Sequence, residues 1–261
     1  MAHTSNLQIT VLGSGTSAGV PMIGCHCPVC ASTDPRDRRT RCSLAIRYDH
    51  HEILIDTAPE LRLQAVADAL DRVEAVVFTH AHADHIFGLD DIRRYNTVLG
   101  RPIDVYANAE TLAVLQRAFP YAFTESVDAG VYRPELSPHA INGPFDLGGR
   151  TWIPVPLRHG RGNVLGFRIG NFAYCTDCSQ IPPPSMALLQ NLDTLIIDAL
   201  RPHPHPTHLS FAQAIAIIKD LQPRQAFLTH LSHDVFHAQA QADLPAPVRI
   251  CYDGLKLEVP F

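Results

Sequence analysis

The stretch Val76–Gly88, VVFTHAHADHIFG, sets three histidines and one aspartate within six positions, directly after an apolar run. The apolar run predicts a short buried strand, and the polar side chains follow where that strand ends. His80 and His82 are two positions apart, so at a strand end they point to one side and can bind one metal ion. Asp84 and His85 follow in the predicted turn and can reach a second ion. Neutral imidazole and carboxylate suit zinc, iron or manganese.

One strand end cannot supply every ligand of two ions, and three later residues also follow apolar strands. His159 comes after VPLR, Asp177 after AYCT and His230 after AFLT. A lone histidine in such a place is usually an ordinary polar residue. Four polar residues after one buried strand, however, cost stability unless something compensates them. Because two adjacent metal ions are an established hydrolytic device, we predict a two-metal site.

Composition excludes several classes of protein. The chain has 261 residues and a net charge of −5, which argues against nucleic-acid binding through the phosphate backbone. No apolar run approaches the ~20 residues that a membrane-spanning helix needs. The first residues, MAHTSNLQIT, lack the basic-then-apolar order of a signal peptide. We therefore expect a cytoplasmic protein without a membrane partner.

Apolar strand patterns occur in two runs along the chain, with helices between them. Two strands are predicted at residues 43–48 and 52–56, and a helix over SFAQAIAIIKDLQ begins with a capping box of Ser210 and Gln213. Apolar strands flanked by helices favour a layered α/β fold with two central sheets. The metal-ligand residue types lie at strand ends, where open sheets usually place their sites.

A second cluster of metal-binding residue types lies near the N-terminus. The segment GCHCPVC puts Cys25, Cys27 and Cys30 in a C-x-C-x2-C pattern. A disulfide framework is not expected in a chain of this size without an export signal, and close thiolates favour a structural zinc. Cys42 and His233 are both candidates for the fourth ligand.

THAHADH, with the ordered His, Asp and His downstream, resembles the HxHxDH signature of the metallo-β-lactamase superfamily. The resemblance implies a four-layered αββα sandwich. It implies one metal on His80, His82 and His159 and a second on Asp84, His85 and His230. Asp177 would bridge both ions together with a hydroxide. The superfamily covers lactams, thioesters, phosphodiesters and redox chemistry, so the motif does not define the substrate.

Four segments together resemble the PhnP-type phosphoribosyl cyclic phosphodiesterases of phosphonate breakdown: GSGTSAGVPMIGCHCPVC, LIDTAPELR, FTHAHADHIFGL and LTHLSH. In that family the Cys-rich loop and the second histidine of a TH-x2-H motif hold a structural zinc. This implies His233 as the partner of the three cysteines and leaves Cys42 an ordinary buried residue. We expect one hydrolase domain over residues 1–261, with the zinc loop at about residues 24–42.

The leaving group of a hydrolysed phosphodiester needs a proton or a positive neighbour. The segment RPHPHPTHLS offers His203, His205 and His208, of which His208 lies just before the capped helix. The resemblance also places a phosphate-contacting histidine in this segment. We predict that His208 is a general acid or phosphate contact and count it, with Asp84, as catalytic.

Asp56 and Asp198 end predicted strands, and each is a candidate to orient a ligand histidine, with ordinary strand-end capping as the alternative. Two further motifs are set aside. The C-x-x-C of CTDC encloses Asp177, which is needed as the bridge, and GSGTSAG lacks the lysine of a phosphate-binding loop.

The leading hypothesis is a binuclear Zn- or Mn-dependent phosphodiesterase that opens a small cyclic phosphate or nucleotide-like ester by attack of a metal-bridging hydroxide. The alternatives are a thioester hydrolase of glyoxalase II type and a non-catalytic accessory protein in cofactor biosynthesis. Processing of tRNA 3′ ends would need a basic arm, which the sequence lacks. Residues 93–144 are expected to cover the substrate pocket. An extended, Pro-containing surface segment would be consistent with a homodimer.

Overall fold

The computed structural model describes residues 6–124 and 132–261. Their strands, in chain order, are β1 (Leu7–Gly13), β2 (Ser43–Tyr48), β3 (His51–Ile55), β4 (Ala75–Val77), β5 (Ile103–Ala107), β6 (Leu136–Ala140), β7 (Phe145–Leu147), β8 (Arg150–His159), β9 (Gly162–Ile169), β10 (Phe172–Cys175), β11 (Thr194–Asp198), β12 (Gln225–Thr229), β13 (Val248–Ile250) and β14 (Leu255–Val259). The α-helices are α1 (Leu61–Ala67), α2 (Ala83–Ile86), α3 (Arg93–Leu99), α4 (Ala109–Ala118), α5 (Pro120–Phe123), α6 (Pro183–Leu188), α7 (Phe211–Leu221) and α8 (His237–Asp243). Two 3-10 helices span Pro35–Asp37 and Leu89–Ile92.

The strands form two mixed sheets of seven strands each among the described residues. The first sheet has the order β14-β1-β2-β3-β4-β5-β6, and the second β13-β12-β11-β10-β9-β8-β7. Sheet-to-sheet packing buries a shared apolar core, in which Ile46 and Ile53 of the first sheet meet Trp152, Phe167 and Tyr174 of the second. Helices cover the outer face of each sheet, so the predicted four-layered α/β sandwich with two central sheets is confirmed.

The parallel strands of the second sheet end at one edge of the sheet, and polar residues follow these strand ends. Strands β10, β11, β12 and β13 run parallel, with Cys175 opposite Ile197 and Asp198 opposite Thr229. Strands β10, β11 and β12 are buried on both faces, as expected for parallel strands between a helical layer and another sheet, whereas the edge strand β13 exposes Arg249. Their carboxyl ends therefore meet at the same sheet edge.

The segment that decides the fold differs in one detail from its predicted structure. The short buried strand is present at Ala75–Val77, but Asp84 and His85 lie in the helix α2 rather than in a turn. Backbone hydrogen bonds His85 N–H to His82 O (3.0 Å) and Phe87 N–H to Ala83 O (3.1 Å) form this helical turn. The helical turn brings Asp84 and His85 back toward the strand end.

Helix α7 begins at the predicted capping box. The side chain of Ser210 accepts a hydrogen bond from Gln213 N–H, and Gln213 Oε1 accepts one from Ser210 N–H at 2.8 Å. This cap follows His208 by two residues and fixes the start of the helix beside it. With 11 residues, α7 is the longest helix described, and no helix in the described ranges has the length and apolarity needed to cross a membrane.

We predict that Ser210→Ala lowers the free energy of unfolding by about 1 kcal/mol, because it removes the side-chain acceptor for a free N–H of the first helical turn. Urea unfolding of the purified protein measures the change. Ser17→Ala, at an exposed position, is the matched control. Equal midpoints for the two variants would contradict the predicted role of the cap.

Candidate metal centres

The first group of possible ligands lies where β4, β8 and β10 end. One ligand atom from each of His80, His82, His159 and Asp177 lies within 4.8 Å of the others. The imidazole centroids of His80 and His82 are 4.5 Å apart, and those of His82 and His159 are 5.1 Å apart. Four side chains from three distant parts of the chain therefore converge on one point.

A second group lies beside the first and shares Asp177 with it. Asp84, His85, Asp177 and His230 each offer a ligand atom within 4.8 Å of the others. Asp177 Oδ2 is 3.4 Å from the Nε2 atoms of both His85 and His230, and 3.8 Å from Nε2 of His80. Asp177 is thus placed to contact both sites.

The donor atoms of these groups fit metal binding. Nε2 of His80, of His85 and of His230 is buried without a hydrogen-bond partner, which is costly in a protein interior unless something binds there. The opposite nitrogens of His80 and His85 have partners: His80 Nδ1 lies 2.9 Å from Thr79 Oγ1, and His85 Nδ1 lies 2.7 Å from Asp56 Oδ2. His159 Nδ1 donates to Thr207 O at 2.8 Å, whereas both ring nitrogens of His230 are buried without a hydrogen-bond partner. Histidines that bind metals usually have one nitrogen held in this way.

Asp56 lies where the sequence predicts a residue that orients a ligand histidine. Its carboxylate is fully buried and accepts hydrogen bonds from Thr79 N–H (2.8 Å) and Thr79 Oγ1 (2.7 Å), besides contacting His85. Thr79 Oγ1 also lies 2.9 Å from His80 Nδ1. One carboxylate therefore orders the segment that carries the first three histidines.

Asp198 pairs with His208 rather than with a histidine of these two groups, and both residues lie with Asp177 and His230 in a further group of possible ligands. Its Oδ2 lies 2.7 Å from Nδ1 of His208 and accepts a hydrogen bond from Cys178 N–H at 3.0 Å. The reason is topological: His208 is anchored beside β11 by Leu209, whose N–H donates to Cys178 O (2.8 Å) and whose carbonyl accepts from Leu200 N–H (2.9 Å).

His208 lies against the ligand cluster. Its ring stacks on that of His230, with centroids 4.4 Å apart and an angle of 16° between the planes, and lies 4.7 Å from the ring of His159. His205 is farther out, with its ring 5.3 Å from that of His208, and His203 is exposed. Of the three histidines in this segment, His208 is the one that the structure brings to the site.

Electrostatics differ between the two groups. Burial, with the nearby charge of His85, keeps the pKa of His80 well below its usual range, so that its imidazole is neutral and ready to bind a cation. Burial also lowers the pKa of His85, but the carboxylates of Asp177 and Asp56 outweigh it and raise that pKa well above the usual range. Cation binding at His85 would therefore release a proton.

The Cys-rich loop forms a separate cluster. Sγ of Cys25, Cys27 and Cys30 lies 3.3, 3.4 and 3.8 Å from Nδ1 of His233. These four donors lie within 4.8 Å of one another, and three sulfurs with one nitrogen suit a closed tetrahedral zinc site. Cys42 is buried elsewhere, with Sγ 3.4 Å from Gly15 O, so the structure favours His233 as the fourth member.

Comparison with known proteins identifies the family. A family model described as a beta-lactamase superfamily domain matches residues 51–231. The chain therefore belongs to the metallo-β-lactamase superfamily. A solved structure of a new diphosphatase from the PhnP family is 42% identical, with a TM-score of 0.91, and the match covers 98% of this chain and 99% of that one. Within the superfamily, the chain belongs to the PhnP family.

Other relatives carry different names. An octanoyltransferase of Porphyromonas gingivalis is 37% identical over 253 residues, which are 96% of this chain and 51% of that protein. The chain thus spans about half the length of this curated relative. The fold is also that of Zn²⁺-bound PqqB from Methylobacterium extorquens, with a TM-score of 0.79 at 19% identity over 97% of this chain and 100% of that one. Family membership supports a metal-dependent hydrolase and leaves the substrate open.

Zinc binding at the Cys-rich loop should depend on pH with a break near the pKa of one thiol. A hydrogen bond from Cys30 N–H, with the contact to His233, lowers the pKa of Cys27 to about 6, whereas burial raises the pKa of Cys30 to about 11. Zinc binds thiolates, so binding has to displace the proton of Cys30 throughout this range. Below about pH 6 it also has to displace the proton of Cys27.

Affinity should therefore fall as the pH falls, and below about pH 6 the fall should steepen by a further factor of about ten per pH unit. Competition with a chromophoric chelator across this range measures it, with Cys251→Ser, at a thiol outside the cluster, as the control. A slope that stays constant through pH 6 would contradict the assignment to Cys27.

Proposed function

We propose that this chain is a binuclear metal-dependent phosphodiesterase that acts on a small cyclic phosphate or a nucleotide-like phosphate ester. The observation that carries the proposal is the pair of ligand groups sharing one buried carboxylate, Asp177, with the Asp198–His208 pair packed against them. A PhnP-family diphosphatase that matches the whole chain supports phosphate-ester chemistry.

Ten side chains and the shared Asp177 would hold the metals. One catalytic ion would lie on His80, His82 and His159, the other on Asp84, His85 and His230, with Asp177 between them, and a structural zinc would lie on Cys25, Cys27, Cys30 and His233. When bound, two adjacent divalent ions supply a water-derived nucleophile at neutral pH and stabilise negative charge on phosphoryl oxygens.

The possible ligands differ in exposure. His82 is exposed, and Asp84 and His159 are partly exposed, whereas His85, Asp177 and His230 are buried. We therefore expect a substrate to approach from the side of His82 and His159. His208 borders this side, since its ring contacts that of His159.

His208 is well placed to act on the leaving group. Asp198 holds Nδ1, which leaves Nε2 of the same ring for the substrate. A protonated Nε2 can donate to a phosphoryl oxygen or to the departing alkoxide. Asp198 acts as a positioning residue, because its buried carboxylate fixes the ring without reaching the substrate.

The open side also offers apolar surface for an organic part of the substrate. Phe87 is 56% exposed and lies one helical turn after Ala83, which is exposed next to His82. Its ring packs edge-on against Phe119, at 6.0 Å between centroids. A substrate larger than inorganic phosphate would be able to contact this ring.

An acyl thioester hydrolase is the second candidate. The octanoyltransferase relative is named for acyl chemistry, and the exposed Phe87 would suit an acyl chain. Because this chain spans about half of that relative, the named activity need not lie in the matching half. Thioester cleavage releases a thiolate, which can leave without a proton donor. This reaction therefore does not need the Asp198–His208 pair as a proton donor.

The test is hydrolysis by the Mn²⁺- or Zn²⁺-loaded protein of four substrates: a 2′,3′-cyclic nucleotide, a ribose 1,2-cyclic phosphate, a diphosphate diester and a glutathione thioester. We predict cleavage of a phosphate ester. His208→Ala should lower kcat/KM at least about tenfold with unchanged metal content, since a positioned acid typically contributes ~10²-fold or more.

Asp198→Asn should lower kcat/KM less than His208→Ala and shift the pH profile of kcat, because it changes how the ring is held rather than removing it. His203→Ala, at an exposed position of the same segment, is the matched control and should leave the rate unchanged. Turnover of the thioester alone, with His208→Ala unaffected, would overturn the proposed function and the role of His208.

The finer expectations about the whole protein stay predictions. These are the single domain over residues 1–261, the choice between zinc and manganese, the cytoplasmic location and the homodimer.

A further inference from the structure

One short loop carries residues of both metal groups. His230 belongs to the catalytic cluster and His233, three positions later, to the Cys-rich cluster. His230 has a φ of 61°, in the left-handed region that residues other than glycine rarely adopt. A conformation of this kind persists only where the surroundings hold it. The contacts of residues 230–237 therefore matter for the catalytic cluster.

A buried arginine holds the part of this loop around His233. Arg39 is only 2% exposed. Its Nη2 donates to the carbonyl of Val235 at 2.9 Å and its Nη1 to that of Ser232 at 3.4 Å, so the two hydrogen bonds flank His233. A guanidinium can hold two carbonyls at once because its donors diverge in one plane.

The backbone of the same arginine pairs with Val20 and so joins the two ends of the Cys-rich loop. Arg39 N–H donates to Val20 O at 2.8 Å, and Val20 N–H donates to Arg39 O at 2.9 Å. Asp37 Oδ1 accepts from Arg39 Nη2 at 3.2 Å and from His237 N–H at 2.7 Å. The other Asp37 oxygen accepts from Ser32 Oγ at 2.7 Å, two residues after Cys30. Arg39 and Asp37 thus join the thiol-bearing loop to residues 232–237.

The other end of the loop is fixed by the backbone. Leu231 N–H donates to Ser14 O at 2.9 Å, and Leu231 O accepts from Thr16 N–H at 3.1 Å. Ser232 N–H donates to Leu200 O at 2.9 Å. The segments that lead into and out of the Cys-rich loop therefore contact both residues between the two histidines: Ser14 and Thr16 contact Leu231, beside His230, and Arg39 contacts Ser232, beside His233.

A buried ion pair of this kind needs a reason beyond stability. Burying two charges costs desolvation that their attraction often does not recover, and an apolar pair of similar volume would frequently be as stable. Here the side chains of Arg39 and Asp37 make four hydrogen bonds to the two loops that carry His233 and the three thiols.

We propose that Arg39, with Asp37, is a positioning residue that couples the Cys-rich metal site to the catalytic pair. An ion on the three thiols and His233 holds residues 230–233 so that His230 keeps its ligand position, and the catalytic pair then binds its ions more tightly. By linkage, ions on the catalytic pair strengthen the Cys-rich site by the same factor. The inference rests on the two metal groups of the proposed function.

The test measures Co²⁺ binding to the full chain at the two sites separately. Thiolate-to-cobalt charge-transfer bands report the Cys-rich site, and the d–d bands of imidazole-bound cobalt report the catalytic pair. The variants are Arg39→Met, Arg39→Lys and Cys25→Ser. Arg36→Met is the control, because Arg36 belongs to the same loop but pairs with Asp34 at 2.7 Å on the surface.

We expect Cys25→Ser to lose the thiolate band and to weaken Co²⁺ binding at the catalytic pair at least tenfold, although Cys25 is no member of that pair. Arg39→Met should weaken both sites, and Arg39→Lys should retain part of the affinity. In the double variant Arg39→Met/Cys25→Ser, the loss at the catalytic pair should be smaller than the sum of the two single losses. Circular dichroism verifies that each variant is folded.

The proposal is overturned if Cys25→Ser loses the thiolate band while the catalytic pair binds Co²⁺ as in the wild type. It is also overturned if a folded Arg39→Met or Arg39→Lys variant binds like Arg36→Met at both sites. If Arg39→Met does not fold, the measurements on Cys25→Ser and Arg39→Lys decide whether the two sites are coupled, because neither substitution removes a buried charge. Failure of the proposed function is a separate result: the wild type would then bind no Co²⁺ at the catalytic pair or would hydrolyse none of the phosphate esters.

Discussion

The buried carboxylate of Asp177 is the group on which the rest of the site depends. It follows β10, and its Oδ2 lies 3.4 to 3.8 Å from Nε2 of three histidines: His80 after β4, His85 in α2 and His230 after β12. A carboxylate taken out of water is costly unless opposite charge surrounds it. Burial raises the pKa of Asp177, but the charges of His230 and His85 outweigh burial and hold it well below the usual range. The carboxylate is thus kept charged, as the proposed sharing between two cations requires.

The αββα framework explains why such a cluster can exist at all. Parallel strands of the second sheet end together and bring Asp177, Asp198 and His230 to one edge, while a backbone hydrogen bond of 3.0 Å from Leu165 N–H to Thr79 O joins that sheet to the segment bearing His80. The apolar core between the sheets supplies the stability, and the polar residues are confined to the edge. The Cys-rich cluster lies on a loop outside the sheets and is tied to the same edge through residues 230–237.

Local motifs could be predicted from the sequence, whereas contacts between distant residues were predicted less well. The spacing of His80 to His85 and the C-x-C-x2-C pattern identify two metal-binding segments, because their ligands are neighbours in the chain. The choice between Cys42 and His233 needs the structure, since it depends on how a loop at residue 30 meets one at residue 233. The pairing of Asp198 with His208 likewise needs the structure. The carbonyl of Thr207, which anchors His159, leaves no trace in the sequence, because any residue has a carbonyl. Arg39 looks like one of several basic residues in a loop until its burial is known.

The substrate could not be predicted, because no motif lies in residues 93–144 and relatives with this fold carry different names.

We propose that Asp177 lies between two cations in the metal-loaded protein. Anomalous diffraction from crystals grown with Zn²⁺ or Mn²⁺ tests this arrangement, because it locates each ion without reference to activity. We predict two peaks about 3.5–4 Å apart, both next to Asp177, and a third peak within the Cys25, Cys27, Cys30 and His233 cluster. A single ion at the edge of the sheets, or a pair of ions that does not contact Asp177, would contradict it.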